Sequence, residues 1–149
     1  MTDQAQGWMP RERWDALVRG DNCPLCEDCQ SQMPLAENSF GYWIADLSLS
    51  RLRLNNNQFP PGYCLLACTK HVREPYDLTE EEQALFFGDM MRVARALERV
   101  FAPAKMNFQI LGNAIPHLHA HITPRFYGDP APGRPIGRGD PKVTLTPEE

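Results

Sequence analysis

Three histidines alternate with apolar residues in the run His117-Leu118-His119-Ala120-His121. Between Ile115 and Thr123 this alternation predicts a β-strand, which would place all three imidazoles on one face. Neighbouring histidines would lie about 6.8 Å apart, from a rise of ~3.4 Å per residue. One metal ion needs ligand nitrogens at ~2.0–2.1 Å, so all three are poorly spaced for one ion, although a neighbouring pair could share it. A row of imidazoles beside a bound anion remains, because a neutral imidazole is a usable nucleophile near pH 7.

Hydrophobic periodicity divides the rest of the chain into helices and strands. A short helix is predicted over Pro10–Val18, and a long one begins at the capping box Thr79-Glu80-Glu81-Glu82 and ends before Pro103. Strands are predicted at Phe40–Asp46, Leu47–Leu54, Gly62–Thr69, Lys105–Leu111 and Ile115–Thr123, and the stretch from Cys23 to Cys29 is expected to be turn-like. This order predicts an α+β domain with a mostly antiparallel sheet, one long helix and a short N-terminal helix.

Length and composition restrict the possible partners. The 149 residues fit a single domain, residues 1–149, with a loose N-terminus at 1–9 and a Pro/Gly-rich C-terminal arm at 128–149. The net charge is −4 and no basic stripe carries interleaved aromatic residues, which argues against nucleic acid as a partner. No apolar run approaches the ~18 residues that span a bilayer, and the polar N-terminus lacks a signal-peptide core. We therefore expect a cytoplasmic protein without membrane contact.

Five cysteines make an odd number with no disulfide-scaffold spacing. In a reducing compartment, Cys23-Pro-Leu-Cys26 indicates a metal-binding or redox site. Cys64 and Cys68 lie in an apolar run and are predicted to be small core residues.

The stretch Leu111–Arg125 (LGNAIPHLHAHITPR) resembles the signature of the histidine-triad (HIT) family. The similarity extends upstream through Pro61-Gly62-Tyr63, Lys70-His71-Val72 and Asp77-Leu78-Thr79, and covers about residues 20 to 127. The resemblance implies a HIT-like fold and a nucleotidyl hydrolase or transferase. Dinucleoside polyphosphates and nucleoside phosphoramidates are the usual substrates of the family.

The resemblance also implies roles for single residues. His119 would attack the α-phosphorus and form a nucleotidyl-histidine intermediate, and His121 would contact the phosphate and stabilise developing charge. Asn113 matches a position where many members carry Gln and would contact the leaving group or the phosphate. Asn107 resembles a family Asn on the preceding strand that contacts substrate, with a strand-end hydrogen bond as the alternative. Asp46 lies where the family often binds ribose, with Asn56 and Gln58 as alternatives. Two positions depart from the family pattern. Many members carry His at the position of Tyr63, and many carry Ser or Thr at the position of Ala114.

A zinc site follows from the same resemblance. Several bacterial HIT proteins bind zinc through a CxxC pair, the Lys-His histidine and the first triad histidine, which maps the ligands to Cys23, Cys26, His71 and His117. A closed site with two cysteines and two histidines leaves no open position for water, so the zinc is predicted to be structural. Cys29 is the alternative cysteine ligand.

The sequence is compatible with two other functions. The first is a nucleotide-binding module of the same fold without turnover, an alternative that the departures at Tyr63 and Ala114 support. The second is a zinc-dependent hydrolase that uses His119 and His121 as metal ligands, which would need a further carboxylate ligand. The family resemblance implies a homodimer, and we expect the C-terminal arm to reach toward the partner subunit and influence specificity.

Overall fold

The computed structural model describes residues 7–130, 132–137 and 139–145. Helix α1 spans Arg11–Arg19, α2 spans Pro24–Gln30 and α3 spans Glu80–Phe101, with a short 3₁₀ helix at Pro75–Asp77. The strands are β1 (Glu37–Asn38), β2 (Gly41–Asp46), β3 (Ser50–Leu54), β4 (Cys64–Cys68), β5 (Lys105–Gln109) and β6 (His119–Arg125). None of the described helices is long and apolar enough to cross a membrane.

The strands form one six-stranded sheet in the order β1-β2-β3-β4-β6-β5, and every neighbouring pair is antiparallel. The predicted α+β class with a mostly antiparallel sheet, a long helix and an N-terminal helix is therefore confirmed. Helix α3 begins where the capping box predicts, since the Thr79 hydroxyl accepts from the Glu82 backbone N–H and the Glu82 side chain returns to Thr79.

Two buried clusters cover the two faces of the sheet. The larger cluster packs α3 against one face through Phe86, Met90, Val93 and Leu97, and it contains Cys64 and Cys68 as the sequence predicts. The smaller cluster lies on the opposite face, where Leu25 of α2 packs against Leu65 and Ala67 of β4. This second face is only partly covered, because the short helix α2 lies over its middle alone.

Several predicted boundaries are wrong. The stretch from Cys23 to Cys29 is not turn-like, because Pro24 opens helix α2 and the Cys23 sulfur accepts from the Cys26 backbone N–H as its cap. Strand β3 begins at Ser50 instead of Leu47. Strand β6 begins at His119 instead of Ile115, so His117 precedes the strand.

Both ends of the chain make contacts within the described residues. Of residues 1–9, the first six lie outside the described residues, and Trp8 packs edge-on against Trp14 with 4.9 Å between ring centroids. The C-terminal arm returns to its own chain, where Asn57 pairs with Thr144 and the Gln58 backbone N–H donates to the Val143 carbonyl at 2.7 Å. In the arm, residues 131, 138 and 146–149 lie outside the described residues.

Candidate active site and metal centre

His119 and His121 project from β6 on the face of the sheet opposite α3. Their cross-strand neighbours on β4 are Ala67 and Leu65, which belong to the cluster under α2. Because directly paired residues share a face, the two imidazoles lie beside α2 on the partly open side. Their ring centroids are 5.2 Å apart and the rings are nearly perpendicular.

The hydrogen bond of His119 fixes which ring nitrogen carries the proton. Nδ1 of His119 lies 2.6 Å from the backbone carbonyl of His117, which can only accept. Nδ1 must therefore carry the hydrogen, and the neutral ring has its lone pair on Nε2. Burial lowers the pKa of His119 below its ordinary value, although the carbonyl acts in the opposite direction, so the ring is neutral at pH 7.

His121 forms a hydrogen bond with a tyrosine side chain instead of a backbone carbonyl. Its Nδ1 lies 2.5 Å from the phenolic oxygen of Tyr63, the residue just ahead of β4. Burial lowers the pKa of His121 to about 4, and the neighbouring His119 adds to the shift. Burial also raises the pKa of Tyr63 to about 12, so both partners are neutral near pH 7.

The second nitrogen of each imidazole is accessible from outside. Within the described part of the chain, one buried side-chain nitrogen or oxygen lacks a hydrogen-bond partner, and it is Oδ1 of Asn56. Nε2 of His119 and Nε2 of His121 have no hydrogen-bond partner among these residues either, so neither atom is fully buried. A bound molecule can therefore meet two adjacent Nε2 atoms on this face.

His117 takes part in a different group. Its Nδ1 lies 3.5 Å from the Cys23 sulfur, 3.4 Å from the Cys26 sulfur and 3.1 Å from Nδ1 of His71. The Cys26 sulfur is also 3.1 Å from Nδ1 of His71. All four ligand atoms lie within 4.8 Å of one another, a spacing compatible with one metal ion.

Backbone carbonyls orient both histidines of this group. Nε2 of His117 lies 2.6 Å from the carbonyl of Cys68, and Nε2 of His71 lies 2.9 Å from the carbonyl of Val18. Each ring therefore donates from Nε2 and turns the lone pair of Nδ1 toward the cysteines. Metal-binding histidines usually have this type of outer partner.

Without a cation, burial favours the neutral forms of Cys26 and His117. Burial raises the pKa of the Cys26 thiol to about 12, and the adjacent Cys23 acts in the same direction. Burial lowers the pKa of His117 to about 4, so this ring is in the neutral form that binds metals. A cation among these side chains would stabilise the thiolates.

A buried ion-pair network that the sequence analysis missed anchors α2, the helix that begins at the cysteine pair. The carboxylate of Asp28 accepts from Nε and Nη2 of Arg53 at 2.9 and 2.7 Å, and both side chains are more than 90% buried. Arg51 donates to the backbone carbonyls of Asp28 and Ser31 at the end of the helix. These contacts join α2 to β3 and thereby hold Cys23 and Cys26 over the sheet.

Three residues proposed from the resemblance to contact substrate lie in different places. Asp46 shares a cross-strand row with Arg51, Ala67 and His119, so at ~4.8 Å per strand it lies roughly 14 Å from His119. Its carboxylate is paired with Arg51 at 2.7 Å. Asn107 is on β5, and its amide oxygen accepts from Arg125 at 2.8 Å. Asn113 is exposed in the loop before β6.

The alternatives to these residues have structural contacts. Gln58 is buried, donates from Nε2 to the carbonyls of Asn55 and Tyr63, and accepts from the Gly62 N–H. Asn56 donates to the Asn38 carbonyl. Cys29 is buried in the cluster under α2 and lies outside the group of possible metal ligands found among the described residues.

The geometry argues against the zinc-dependent hydrolase. Among the described residues, the one group of three or more possible ligands within reach of a single ion contains neither His119 nor His121. No carboxylate accompanies these two imidazoles in such a group, and Nδ1 of His119 is already bonded to a carbonyl.

Comparison with known proteins gives a consistent result. The sequence model of the HIT domain matches residues 42–128, more than half of the chain. A bis(5′-nucleosyl)-tetraphosphatase (asymmetrical) from Schizosaccharomyces pombe is 31% identical over 86 residues, which are 54% of this chain and 47% of that protein. An AP-4-A phosphorylase from Mycobacterium tuberculosis is 27% identical over 66% of this chain and 54% of its own length. The chain thus spans about half the length of these two curated relatives.

A solved structure shares the same fold. The crystal structure of a histidine triad protein from Sinorhizobium meliloti is 27% identical and has a TM-score of 0.66, with 73% of this chain and 81% of that chain covered. The six-stranded antiparallel sheet, the long helix and the matched HIT domain model together lead to one conclusion. This chain belongs to the histidine-triad family.

Proposed function

We propose that this protein cleaves a nucleoside phosphate ester, anhydride or phosphoramidate at the α-phosphate, as a nucleotidyl hydrolase or transferase. The observation that carries the proposal is the state of His119, whose Nδ1–H is committed to the His117 carbonyl while Nε2 carries an accessible lone pair. A neutral imidazole with its lone pair turned outward is a prepared nucleophile. The relatives named as a tetraphosphatase and a phosphorylase support the same chemistry.

The reaction follows from this arrangement. Nε2 of His119 forms a bond to the α-phosphorus, and the bond from phosphorus to the leaving group breaks and releases that group with its electron pair. His121 lies two residues further along β6 on the same face, and it donates a hydrogen bond to the phosphate oxygens as their charge increases. Water, or another acceptor, then bonds to the α-phosphorus and gives its proton to solvent. The phosphorus–nitrogen bond breaks with its electron pair returning to Nε2, which releases the nucleotide and restores neutral His119. Asn107, Asn113 and Asp46 remain proposed substrate contacts.

We further propose that Cys23, Cys26, His71 and His117 hold a structural zinc ion. Bond lengths of ~2.3 Å to sulfur and ~2.05 Å to nitrogen place neighbouring ligand atoms of a tetrahedral site roughly 3.4–3.8 Å apart. The contacts between these ligand atoms are 3.1 to 3.5 Å, close to those values. Zinc here would join α2 to the segment before β6 and so keep the His117 carbonyl in position for His119.

We also propose that the protein is a homodimer. Strand β5 is at an edge of the sheet, and edge strands in native proteins are commonly paired or covered. Beside it, α3 exposes the apolar side chains Leu85, Phe87, Met91 and Val100. A second copy could cover this helix and continue the sheet at β5.

Turnover measurements test the proposed reaction. The purified chain is incubated with dinucleoside polyphosphates, nucleoside phosphoramidates and nucleotide esters, and products are separated and identified. We expect a nucleoside monophosphate from the wild type and a loss of at least about 10³-fold in kcat for His119→Ala, because removal of a nucleophile leaves only the other contributions to catalysis. Nucleotide binding without turnover in the wild type would favour the binding-module alternative, and full turnover by His119→Ala would refute the assigned nucleophile.

A further inference from the structure

Tyr63 contacts the second histidine of the proposed site from just ahead of the neighbouring strand, since β4 pairs directly with β6. Its phenolic oxygen lies 2.5 Å from Nδ1 of His121, and the two rings are tilted by 33° with centroids 5.8 Å apart. The residue precedes β4, whereas His121 lies on β6. The contact therefore depends on the sheet and is not a local feature of either segment.

The phenol can donate to Nδ1 of His121 or accept from it, because a hydroxyl group does both. Burial keeps the phenol protonated, so its O–H is available to donate to Nδ1. A neutral imidazole carries one N–H. If Nδ1 accepts the phenolic hydrogen, the imidazole hydrogen must be on Nε2, which is the accessible nitrogen of this ring.

With this direction the two neighbouring imidazoles would be in opposite tautomers. His119 donates from Nδ1 to a carbonyl and presents a lone pair at Nε2, whereas His121 would accept at Nδ1 and present an N–H at Nε2. A lone pair suits attack on phosphorus, and an N–H suits a negatively charged phosphate oxygen. The reverse tautomer of His121 would turn a lone pair toward that oxygen and repel it.

The backbone of Tyr63 is held firmly. Its carbonyl accepts from the Asn55 N–H and from Nε2 of Gln58, both at 2.9 Å, and its own N–H donates to the Pro60 carbonyl. Gly62 before it has φ of +86°, and a Cβ there would lie 2.9 Å from the Phe101 ring. The buried Gln58 and Gly62 therefore fix the point from which the phenol reaches His121.

We propose that Tyr63 is a positioning residue that holds His121 as the Nε2–H tautomer, so that this imidazole donates a hydrogen bond to the phosphate beside His119. The inference rests on the proposed nucleotidyl transfer and assigns a task to a residue that departs from the family pattern. Tyr63 forms and breaks no bond in the reaction, and its O–H hydrogen stays on the phenol throughout.

Nitrogen-15 NMR of histidine-labelled full-length protein tests the proton assignment directly, because the two tautomers differ in ring nitrogen shifts. We expect His121 in the wild type to be mainly Nε2–H. In Tyr63→Phe, which keeps the ring and removes the hydroxyl, we expect a mixture of both tautomers. Tyr76→Phe is the matched control, since Tyr76 is 70% exposed in the 3₁₀ helix, and its spectrum should equal that of the wild type.

Kinetics supply the second measurement. Loss of one preorganised donor costs about 10²–10³ in kcat, and Tyr63→Phe only releases the donor from its fixed state, so we expect kcat to fall at least about tenfold with little change in KM. A wild-type His121 that is Nδ1–H, or a Tyr63→Phe variant with unchanged tautomer and kcat, overturns the proposal. The NMR result needs no substrate, so absence of turnover in the wild type would refute the nucleotidyl transfer separately.

Discussion

At the scale of single residues, four histidines differ by which ring nitrogen is already bonded. His71 and His117 donate from Nε2 to carbonyls and turn Nδ1 toward the cysteines, whereas His119 donates from Nδ1 and leaves Nε2 open. Nδ1 of His121 is hydrogen-bonded to the phenol of Tyr63. In the proposed mechanism one residue type would therefore serve as metal ligand, nucleophile and hydrogen-bond donor, because a different partner binds each ring.

The buried pair of Asp28 and Arg53 gives a prediction about stability. Asp28→Ala should lower the free energy of unfolding by about 3–5 kcal/mol, because it leaves the buried guanidinium of Arg53 without its carboxylate. Urea unfolding followed by circular dichroism measures the change.

The matched control is Asp21→Ala. Asp21 pairs with Arg19 at 3.0 Å, but both side chains are more than half exposed, so its removal should cost less than about 1 kcal/mol. Equal losses in the two variants would show that α2 does not depend on the buried pair.

Sequence reasoning found some of these residues and missed others for a physical reason. The CxxC pair and the alternating histidines have local spacing that predicts chemistry without knowledge of the fold. Arg53 and Asp28 are 25 positions apart, and an arginine in a strand usually indicates a solvent-exposed position. The sequence marks Tyr63 as a departure from the family pattern but does not predict its contact with His121. The two residues are 58 positions apart, and the pairing of β4 with β6 brings them together.

At the scale of elements, local signals predicted helix α3 and failed around the cysteine group. Thr79 and Glu82 form the expected capping box, since this pattern depends on neighbouring residues alone. Helix α2 has seven residues, too few for a clear periodic pattern. Strand β6 begins late because the His117 ring turns to the cysteine group and the Leu118 backbone bonds to Val72 and Cys68.

The metal proposal predicts a difference between two nearby cysteines. Wild-type protein should contain one zinc ion per chain, Cys26→Ala should lose it, and Cys29→Ala should keep it, because the Cys29 side chain lies in the apolar cluster. Elemental analysis of purified protein measures the zinc content.

Removal of the metal gives an independent check. A chelator should lower the Tm of the wild type, and added zinc should restore it, since a closed site contributes binding free energy to folding. Zinc-free wild type, or equal loss of zinc from both cysteine variants, would contradict the assigned ligands.

At the scale of the whole molecule, α3 covers one face of the sheet and the proposed active site lies on the other. Helix α2 covers the middle of that face and leaves β6 and β5 open. The arm borders β5, where residues 104–109, 125–129 and 132–135 line a cleft of about 830 Å³. That volume suits a ligand of nucleoside size.

The proposed dimer can be tested by sedimentation. We expect a mass of twice the 17.0 kDa of the chain. Met91→Glu on exposed α3 should weaken the association because it places a charge in an apolar interface, whereas Met33→Glu, in the loop after α2 and 87% exposed, should not. A monomeric wild type at micromolar concentration would contradict the proposal.

The arm predicts an effect on specificity. Deletion of residues 131–149 removes the part of the arm after the ion pair of Arg125 with Asp129 and opens the cleft. If the leaving group occupies this cleft, the kcat/KM ratios between substrates with different leaving groups should change by severalfold, because the deletion removes one wall of the cleft. If the kcat/KM ratios are unchanged in a deletion variant that keeps the wild-type Tm, the arm has no effect on specificity.

Covalent catalysis by His119 requires a nucleotidyl-enzyme intermediate, which intact-protein mass spectrometry detects. Wild type, His119→Ala and His119→Gly are each mixed briefly with an adenosine nucleotide ester and quenched under conditions that preserve phosphorus–nitrogen bonds. We expect a transient mass increase of one adenylyl group on the wild type and on neither variant. An adduct on either variant, or turnover by the wild type with no adduct at any time point, would contradict it.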